Sequence, residues 1–266
     1  MISAHFGSPT EPLYGVHHRP EAPAPGTVGA VLCPPVFHEG TNSHRALRNL
    51  ADQFARAGMH ALRFDYRGSG DSAGGEDRFR VANCVEDILA ARDELRDARG
   101  LSRVGLVGLR LGASFAALAA QRCRDLPFLV LWEPIAAGRP YLQELRRMQA
   151  AWVDFEAQER PAARRLATDR EALGYPLPPE LVADLEALEL APGEARIAER
   201  TLLVDEGVCE RLDDFGRALG LAGSRVEHRR DDGGRVWTRE LGGEQAPVPR
   251  ALLTHIVGWV AARDPS

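Results

Sequence analysis

Residues 102–120 read SRVGLVGLRLGASFAALAA, and this stretch decides the fold. An apolar run at 102–108 predicts a buried strand, and it passes directly into an alanine-rich helical pattern that begins at Leu111. The junction is Gly108-Leu109-Arg110-Leu111-Gly112, called the elbow below. Its glycines permit a bend so tight that the middle residue stands at the carboxyl edge of a sheet. A nucleophile is expected there, but Arg110 carries a permanently protonated guanidinium that cannot attack a carbonyl.

On both sides of the elbow, apolar runs alternate with helical patterns, which predicts a mostly parallel sheet flanked by helices. The predicted strands cover residues 27–33, 59–65, 102–108, 126–132, 201–205 and 225–230, with an extra strand around Val236. The predicted helices cover residues 43–58 (opened by a Ser43 cap), 85–98, 111–122, 213–221 and 249–262. Residues 139–196 are charged, helical and proline-containing, so they are predicted to form a helical lid inserted into a core of residues 1–138 and 197–266.

Composition narrows the function classes. The 266 residues are 44% hydrophobic and 27% charged, which is typical of one soluble globular domain with an insertion. A net charge of −5 offers no basic field for nucleic acid or anionic lipid. Every basic residue other than histidine is arginine, so Schiff-base and P-loop lysine chemistry are excluded.

Cysteine spacing and hydropathy predict the compartment. The four cysteines are far apart and form no CxxC pair, which fits a reducing cytoplasm. No leader pattern and no apolar run of about 18 residues is found, so neither export nor a membrane is expected. His38, Glu39 and His44 do not have the spacing of a metal site, and we expect no metal and no organic cofactor.

Three motifs in chain order carry a resemblance to a known family. They are PPVFHEG at 34–40, DYRGSGDS at 65–72 and the elbow. Together they resemble the α/β-hydrolase superfamily and, within it, the serine aminopeptidase-like hydrolases, which implies an α/β-hydrolase fold. LWEP at 131–134 and GRPYL at 138–142 further resemble exosortase A system-associated hydrolases of the second type, in which arginine also stands at the elbow. In the turn at 65–72, Asp65 and Arg67 are expected to be architectural.

Chain order predicts where the remaining members of a serine-hydrolase triad would lie. The acid should follow the strand ending at 205, and the candidates there are Asp205, Glu206, Glu210, Asp213 and Asp214. The base should lie between 231 and 248, but that loop contains no histidine. His228 and His255 are predicted to be structural, because one lies in a strand and the other in a helix. Ser114 would lie one turn inside a helix, so a packing role is predicted for it.

Two roles are open for Arg110. In the first, the guanidinium forms a structural pair with Glu39 or Glu133, because a cation at a helix N-terminus needs a compensating anion. In the second, it points into a pocket under the lid and holds a substrate carboxylate or phosphate, assisted by backbone amides. The predicted substrate-binding residues are Val36, Phe37, Arg110, Leu111 and Glu133.

Three functions follow, and His38, Glu39 and Arg110 are the candidate catalytic residues. The first is hydrolysis of a small acyl ester, thioester or amide, with water activated without a Ser-His pair. The second is a non-covalent lyase or cyclase reaction on the same fold. The third is an inactive pseudo-hydrolase that binds an acyl intermediate or a partner protein. The expected ligand is a small acyl or anionic compound.

Overall fold

A computed structural model describes residues 1–23, 28–123, 125–159, 170–191, 193, 195–207, 209–231, 233–238 and 247–262. Its centre is an eight-stranded sheet with the spatial order β1-β2-β4-β3-β5-β6-β9-β10. The strands are β1 (Ile2–Gly7), β2 (Pro12–His18), β3 (Gly29–Cys33), β4 (His60–Phe64), β5 (Val104–Leu109), β6 (Phe128–Trp132), β9 (Arg200–Asp205) and β10 (Arg225–Arg230). β2 is antiparallel to both β1 and β4, and every other pair is parallel. This arrangement confirms the predicted α/β-hydrolase fold.

Helices cover both faces of the sheet. They are α1 (Phe37–Arg56), α2 (Val81–Asp97), α3 (Leu111–Ala120), α4 (Gly138–Glu159), α5 (Pro179–Glu186), α6 (Glu210–Leu221) and α7 (Arg250–Ala261). α1 and α7 pack with one face of the central strands in a core that includes Leu50 and Ile256. α2, α3 and α6 pack on the other face in a core that includes Ile88 and Phe115. No helix in the described part of the chain is both long and apolar enough to cross a membrane.

The strand register brings several chain segments to one edge of the sheet. Cys33 pairs with Gly108, and Leu109 pairs with Trp132. Asp205 pairs with Arg230 on the last two strands. Because the carboxyl ends of parallel strands meet at the same edge, the residues that follow β3, β5, β6 and β9 are neighbours there.

The described residues of the segment between β6 and β9 are mainly helical. The segment contains α4, α5 and a short antiparallel pair, β7 (Glu171–Ala172) and β8 (Tyr175–Pro176), whereas no strand was predicted in it. Two residues per strand are too few to give a sequence pattern. Residues 160–169 lie outside the described residues. The amide of Gly138 donates to the carbonyl of Leu188 at 2.9 Å, which joins the start of α4 to the end of the segment.

The structure differs from the sequence predictions at three other places. β1 and β2 were not predicted, because in β1 only Phe6 is buried and the apolar alternation is weak. No strand forms around Val236 in the described stretch 233–238, where a short 3-10 turn covers Gly233–Arg235. Val236 packs in the hydrophobic core, with 3% of its surface exposed, which accounts for an apolar residue in this loop.

The third correction concerns the start of α1. It begins at Phe37, six residues before the predicted Ser43 cap. Ser43 lies inside the helix, where its Oγ donates to the carbonyl of Glu39 at 2.7 Å. A left-handed backbone at Phe37 (φ 56°) turns the chain from the β3 loop into the helix. The helix start was predicted too late because residues 40–42 are weak helix formers. Glu39 therefore lies in the first helical turn, not on a loop.

Candidate functional site

The elbow keeps the backbone geometry of a nucleophile turn although its middle residue is arginine. Arg110 has φ 54° and ψ −127°, a conformation that is strained for a residue with a side chain. Its amide donates to the carbonyl of Trp132 at 2.9 Å. A Cβ on Gly112 would lie 2.3 Å from the carbonyl oxygens of Cys33 and Pro34, so only glycine fits there. The glycines predicted to shape the turn therefore do so.

The Arg110 side chain is the centre of a buried ion-pair cluster. Its Nε donates to Oε1 of Glu39 at 2.8 Å, and a terminal nitrogen donates to Oε2 of Glu144 at 3.3 Å. Oε2 of Glu39 accepts a hydrogen bond from the Tyr141 hydroxyl at 3.0 Å. Arg110 is 8% exposed and Glu39 is 1% exposed. These four residues, Glu39, Arg110, Tyr141 and Glu144, are called the Arg110 cluster below.

Aromatic rings enclose the guanidinium of Arg110. Its central carbon lies 5.7 Å from the ring centroid of Tyr141 and 5.3 Å from that of Trp237, within the range of cation–π attraction. Trp237 is 5% exposed and comes from the loop after β10. That loop is where chain order places the histidine of a serine hydrolase. The segment that would supply an imidazole in a serine hydrolase thus supplies a tryptophan, which packs against the elbow residue Arg110.

Opposing effects set the protonation of the Arg110 cluster. Burial by itself would lower the pKa of Arg110, but the carboxylates of Glu39 and Glu144 raise it above its ordinary value. Burial raises the pKa of Glu39 above its ordinary value, while Arg110 acts in the opposite direction. The cation is therefore firmly charged, and it already has two carboxylate partners.

The acid position of the triad is also occupied by an ion pair. Asp205 is 3% exposed, and its Oδ2 contacts Nε2 of His228 at 2.7 Å. Arg230 pairs with Asp205 and with Asp213, and the other ring nitrogen of His228 lies 3.3 Å from Asp213. His228 thus has two aspartate neighbours, and the structural role expected for it stays a prediction. The ion-pair partners of Asp205 on β9 are therefore His228 and Arg230 on the neighbouring strand β10.

Ser114 offers no displaced nucleophile. It is fully buried in α3, and its Oγ both donates to the carbonyl of Ile135 at 2.8 Å and accepts from the amide of Ile135 at 2.9 Å. The expected bond to the preceding turn is long, at 3.4 Å to the carbonyl of Arg110. Among the described residues, no hydrogen bond joins a serine hydroxyl to a histidine.

The other predicted site residues are only partly brought together. Burial, followed by the charge of Arg110, lowers the pKa of His38 to about 4, and its buried Nδ1 has no partner among the described residues. Glu133 was the alternative partner for Arg110, but its Oε1 instead accepts from the amide of Glu206 at 2.5 Å. Burial raises the pKa of Glu133 to about 7. Leu111 is fully buried.

A cavity of about 860 Å³ lies next to the elbow. Val36 and Phe37 line it, whereas Arg110, Leu111 and Glu133 do not. The predicted substrate-binding residues are therefore divided between this cavity and the Arg110 cluster. The described ranges contain no group of three or more His, Cys, Asp and Glu side chains that could hold a metal ion.

Comparison with known families agrees with the fold and with the elbow's place in it. The family described as serine aminopeptidase, S33, matches residues 32–173, which is more than half of the chain. The chain belongs to this family. The match covers the β3 loop, the turn after β4, the elbow and most of the inserted segment. No curated protein sequence matches the chain.

Solved structures of hydrolases are similar to the whole chain. An esterase from Pyrococcus furiosus has a TM-score of 0.62 at 14% identity, covering 97% of this chain and 88% of that one. Est1E from Butyrivibrio proteoclasticus, solved with ferulic acid bound, has a TM-score of 0.61 at 16% identity over 97% and 100% of the two chains. A serine hydrolase homologue from Coxiella burnetii has a TM-score of 0.56 at 18% identity over 98% and 95%. At such identities the likeness shows the fold alone.

Tyr141, Glu144 and Trp237 are not among the site residues predicted from the sequence. Tyr141 and Glu144 are three positions apart near the start of α4, a spacing that places them on one helix face. Trp237 is an aromatic residue in a polar loop, directly after Val236, around which a strand was predicted. These signals are weak, because neither identifies the residue on the facing element.

Proposed function

We propose that this protein is a pseudo-hydrolase, a serine aminopeptidase-family protein that has no serine-hydrolase activity and binds a small acyl compound. One observation carries the proposal: the elbow position holds Arg110, which is paired with Glu39 and Glu144 and covered by Trp237. A protonated guanidinium provides neither an attacking oxygen nor a general base. The pairing also argues against Arg110 as the receptor of a ligand anion, because such an anion would compete with two carboxylates already in place.

The Arg110 cluster supports a structural role for the former catalytic position. It joins the first turn of α1, the start of α3 and the first turns of α4. A buried pair whose partners all have hydrogen bonds keeps these elements in register, whereas removal of one partner leaves a buried charge. The proposal therefore assigns the elbow to holding the inserted segment on the core as a lid.

A second candidate is hydrolysis of an acyl ester, thioester or amide by water without a covalent step. Glu133 favours it, because burial raises its pKa to about 7 and it follows β6 at the carboxyl edge of the sheet. A carboxylate with such a pKa can accept a proton from water near neutral pH. The hydroxide formed would attack the acyl carbon, and the leaving group would take up the proton.

Two finer assignments belong to the same proposal. We place the protein in the cytoplasm, and its four unpaired cysteines support a reducing compartment. We also group it with the second type of exosortase A system-associated hydrolases, on the strength of the motifs at 131–134 and 138–142.

The test combines a fluorophosphonate probe for activated serines with p-nitrophenyl esters of two to eight carbons, using an active serine esterase as positive control. We expect no labelling of the wild-type chain and no turnover above buffer, together with thermal stabilisation by anionic acyl compounds. Labelling that disappears in Ser114→Ala would overturn the proposal. Turnover that survives in Ser114→Ala but is lost in Glu133→Gln would favour the second candidate.

A further inference from the structure

The cavity beside the elbow is large enough for a small organic ligand. Its volume of about 860 Å³ lies within the range of known ligand sites. It extends between α1 and the β2–β4 side of the sheet, and residues of the inserted segment form part of its wall. Since Arg110 is not part of its lining, the cavity is a separate place from the Arg110 cluster.

One part of the cavity is aromatic. The ring of Phe37 lies 6.0 Å from that of Phe79 and 6.0 Å from that of Tyr175, measured between centroids. Leu181 of α5 adds an aliphatic side chain to the same lining. The Tyr175 hydroxyl is 2.8 Å from Oγ1 of Thr41, which ties the inserted segment to α1 at the cavity. This part suits the hydrocarbon or aromatic body of a ligand.

Another part of the lining contains a cation that forms no ion pair with a carboxylate of the described residues. Arg63 lies on β4, and its Nε donates to Nε2 of His18 at 3.1 Å. Nδ1 of His18 contacts Asp52 at 2.8 Å, so the His18 ring lies between the Asp52 carboxylate and the Arg63 guanidinium. Within the described part of the chain, no carboxylate lies within ion-pair distance of Arg63, and its two terminal nitrogens make no hydrogen bond.

Charges of both signs lie around Arg63, because the cavity lining also contains the carboxylates of Asp65, Asp71 and Glu76. Burial, followed by the like charge of Arg48, lowers the pKa of Arg63, and Asp52 and Asp65 act in the opposite direction. The Asp65 carboxylate accepts a hydrogen bond from the amide of Asp71 at 3.1 Å within the turn at 65–72. Burial, followed by the charge of Arg63, lowers the pKa of His44, so this imidazole is neutral at pH 7 and able to donate or accept a hydrogen bond.

We propose that the cavity lined by Phe37 and Arg63 binds an amphiphile, with the anionic head group on the guanidinium of Arg63 and the apolar body against Phe37, Phe79 and Tyr175. This deepens the proposed function, because it gives the acyl ligand a site that Arg110 does not line. A guanidinium fork binds a carboxylate or a phosphate monoester through two parallel hydrogen bonds. Both head groups share the chemistry, so the experiment includes one of each.

The experiment is isothermal titration calorimetry of the full chain with octanoate, octyl phosphate and the neutral isostere octanamide. We expect the wild type to bind at least one of the two anions about tenfold or more tightly than octanamide, as a charge-assisted hydrogen bond provides. In Arg63→Gln that preference should vanish while octanamide affinity stays the same. The matched control is Arg45→Gln, which removes the same charge from an exposed position of α1 outside the cavity lining.

A melting curve of Arg63→Gln verifies that the variant is folded, and the ratio of anion to octanamide affinity is a readout that a purely structural role would not move. Binding of neither anion to the wild type, or an anion preference that persists in Arg63→Gln, would overturn the inference. Acyl anions that stabilise Arg63→Gln as much as the wild type would place the ligand elsewhere while leaving the proposed function intact. Serine labelling by the fluorophosphonate probe would instead refute the proposed function and leave the cavity's occupant unaffected.

Discussion

The substitution Glu39→Gln removes one charge from the Arg110 cluster with almost no change in shape. The glutamine oxygen can still accept the 2.8 Å hydrogen bond from Nε of Arg110. What is lost is the carboxylate charge, which leaves an 8% exposed guanidinium beside Glu144 alone, at 3.3 Å. The side chain of Glu144 is 45% exposed, so its attraction is weakened by solvent.

Removing one partner of a buried ion pair costs roughly 3–5 kcal/mol of unfolding free energy. Here we expect a loss of about 3 kcal/mol, at the lower end of that range, for two reasons. Glu144 still offsets part of the Arg110 charge. The variant also no longer buries the Glu39 carboxylate, whose burial is unfavourable and raises its pKa. For a chain of this length the loss corresponds to a melting temperature lower by about 6–12 °C. The assay is thermal unfolding followed by circular dichroism, with urea unfolding for the free energy.

A matched control uses a solvent-exposed ion pair. Glu86 pairs with Arg122 at 2.5 Å, and both side chains are 51% exposed. Glu86→Gln should therefore cost less than about 1 kcal/mol. A double variant, Glu39→Gln with Arg110→Met, should lose at least about 1 kcal/mol less than the sum of the two single changes, because the partners interact directly. If Glu39→Gln were no more harmful than Glu86→Gln, or if the double variant were additive, the buried-pair reasoning would be refuted.

Three further outcomes are expected. Ser114→Ala should lower the unfolding free energy by about 1–3 kcal/mol, since the amide and the carbonyl of Ile135 both lose their partner; an unchanged melting curve would contradict these two hydrogen bonds. Burial lowers the pKa of His17 from 6.5 to about 3, so the folded chain binds fewer protons than the unfolded chain in that window, and the unfolding free energy should fall as the pH drops from 6.5 towards 3. Urea unfolding at several pH values should show a smaller drop for His17→Gln than for the wild type, and equal drops would speak against this assignment. Tyr141→Phe should cost about 1 kcal/mol through the lost hydrogen bond to Glu39, and chemical denaturation giving no difference from the wild type would disprove that bond.

The sequence by itself determined where the sheet's main strands lie along the chain and which residue stands at the elbow. Apolar runs such as 126–132 are visible because strands covered on both faces need apolar residues at every position. The elbow is visible because Gly108 and Gly112 serve backbone contacts that no side chain allows. The pairing of Arg110 with Glu39 was one of two alternatives, and a helix N-terminus that carries a cation requires such an anion.

Tertiary packing alone decided which residues meet Arg110 and where a ligand can enter. Glu144 and Trp237 come from elements that no local pattern connects to the elbow, because only the folding of the inserted segment and of the loop after β10 brings them near. Arg63 appears in the sequence as an ordinary strand residue, and only the structure shows that its described neighbours on β2 and α1 form no carboxylate ion pair with it. The physical reason is that local preferences depend on residues a few positions apart, whereas ion pairs and cavities depend on side chains that are far apart in the chain.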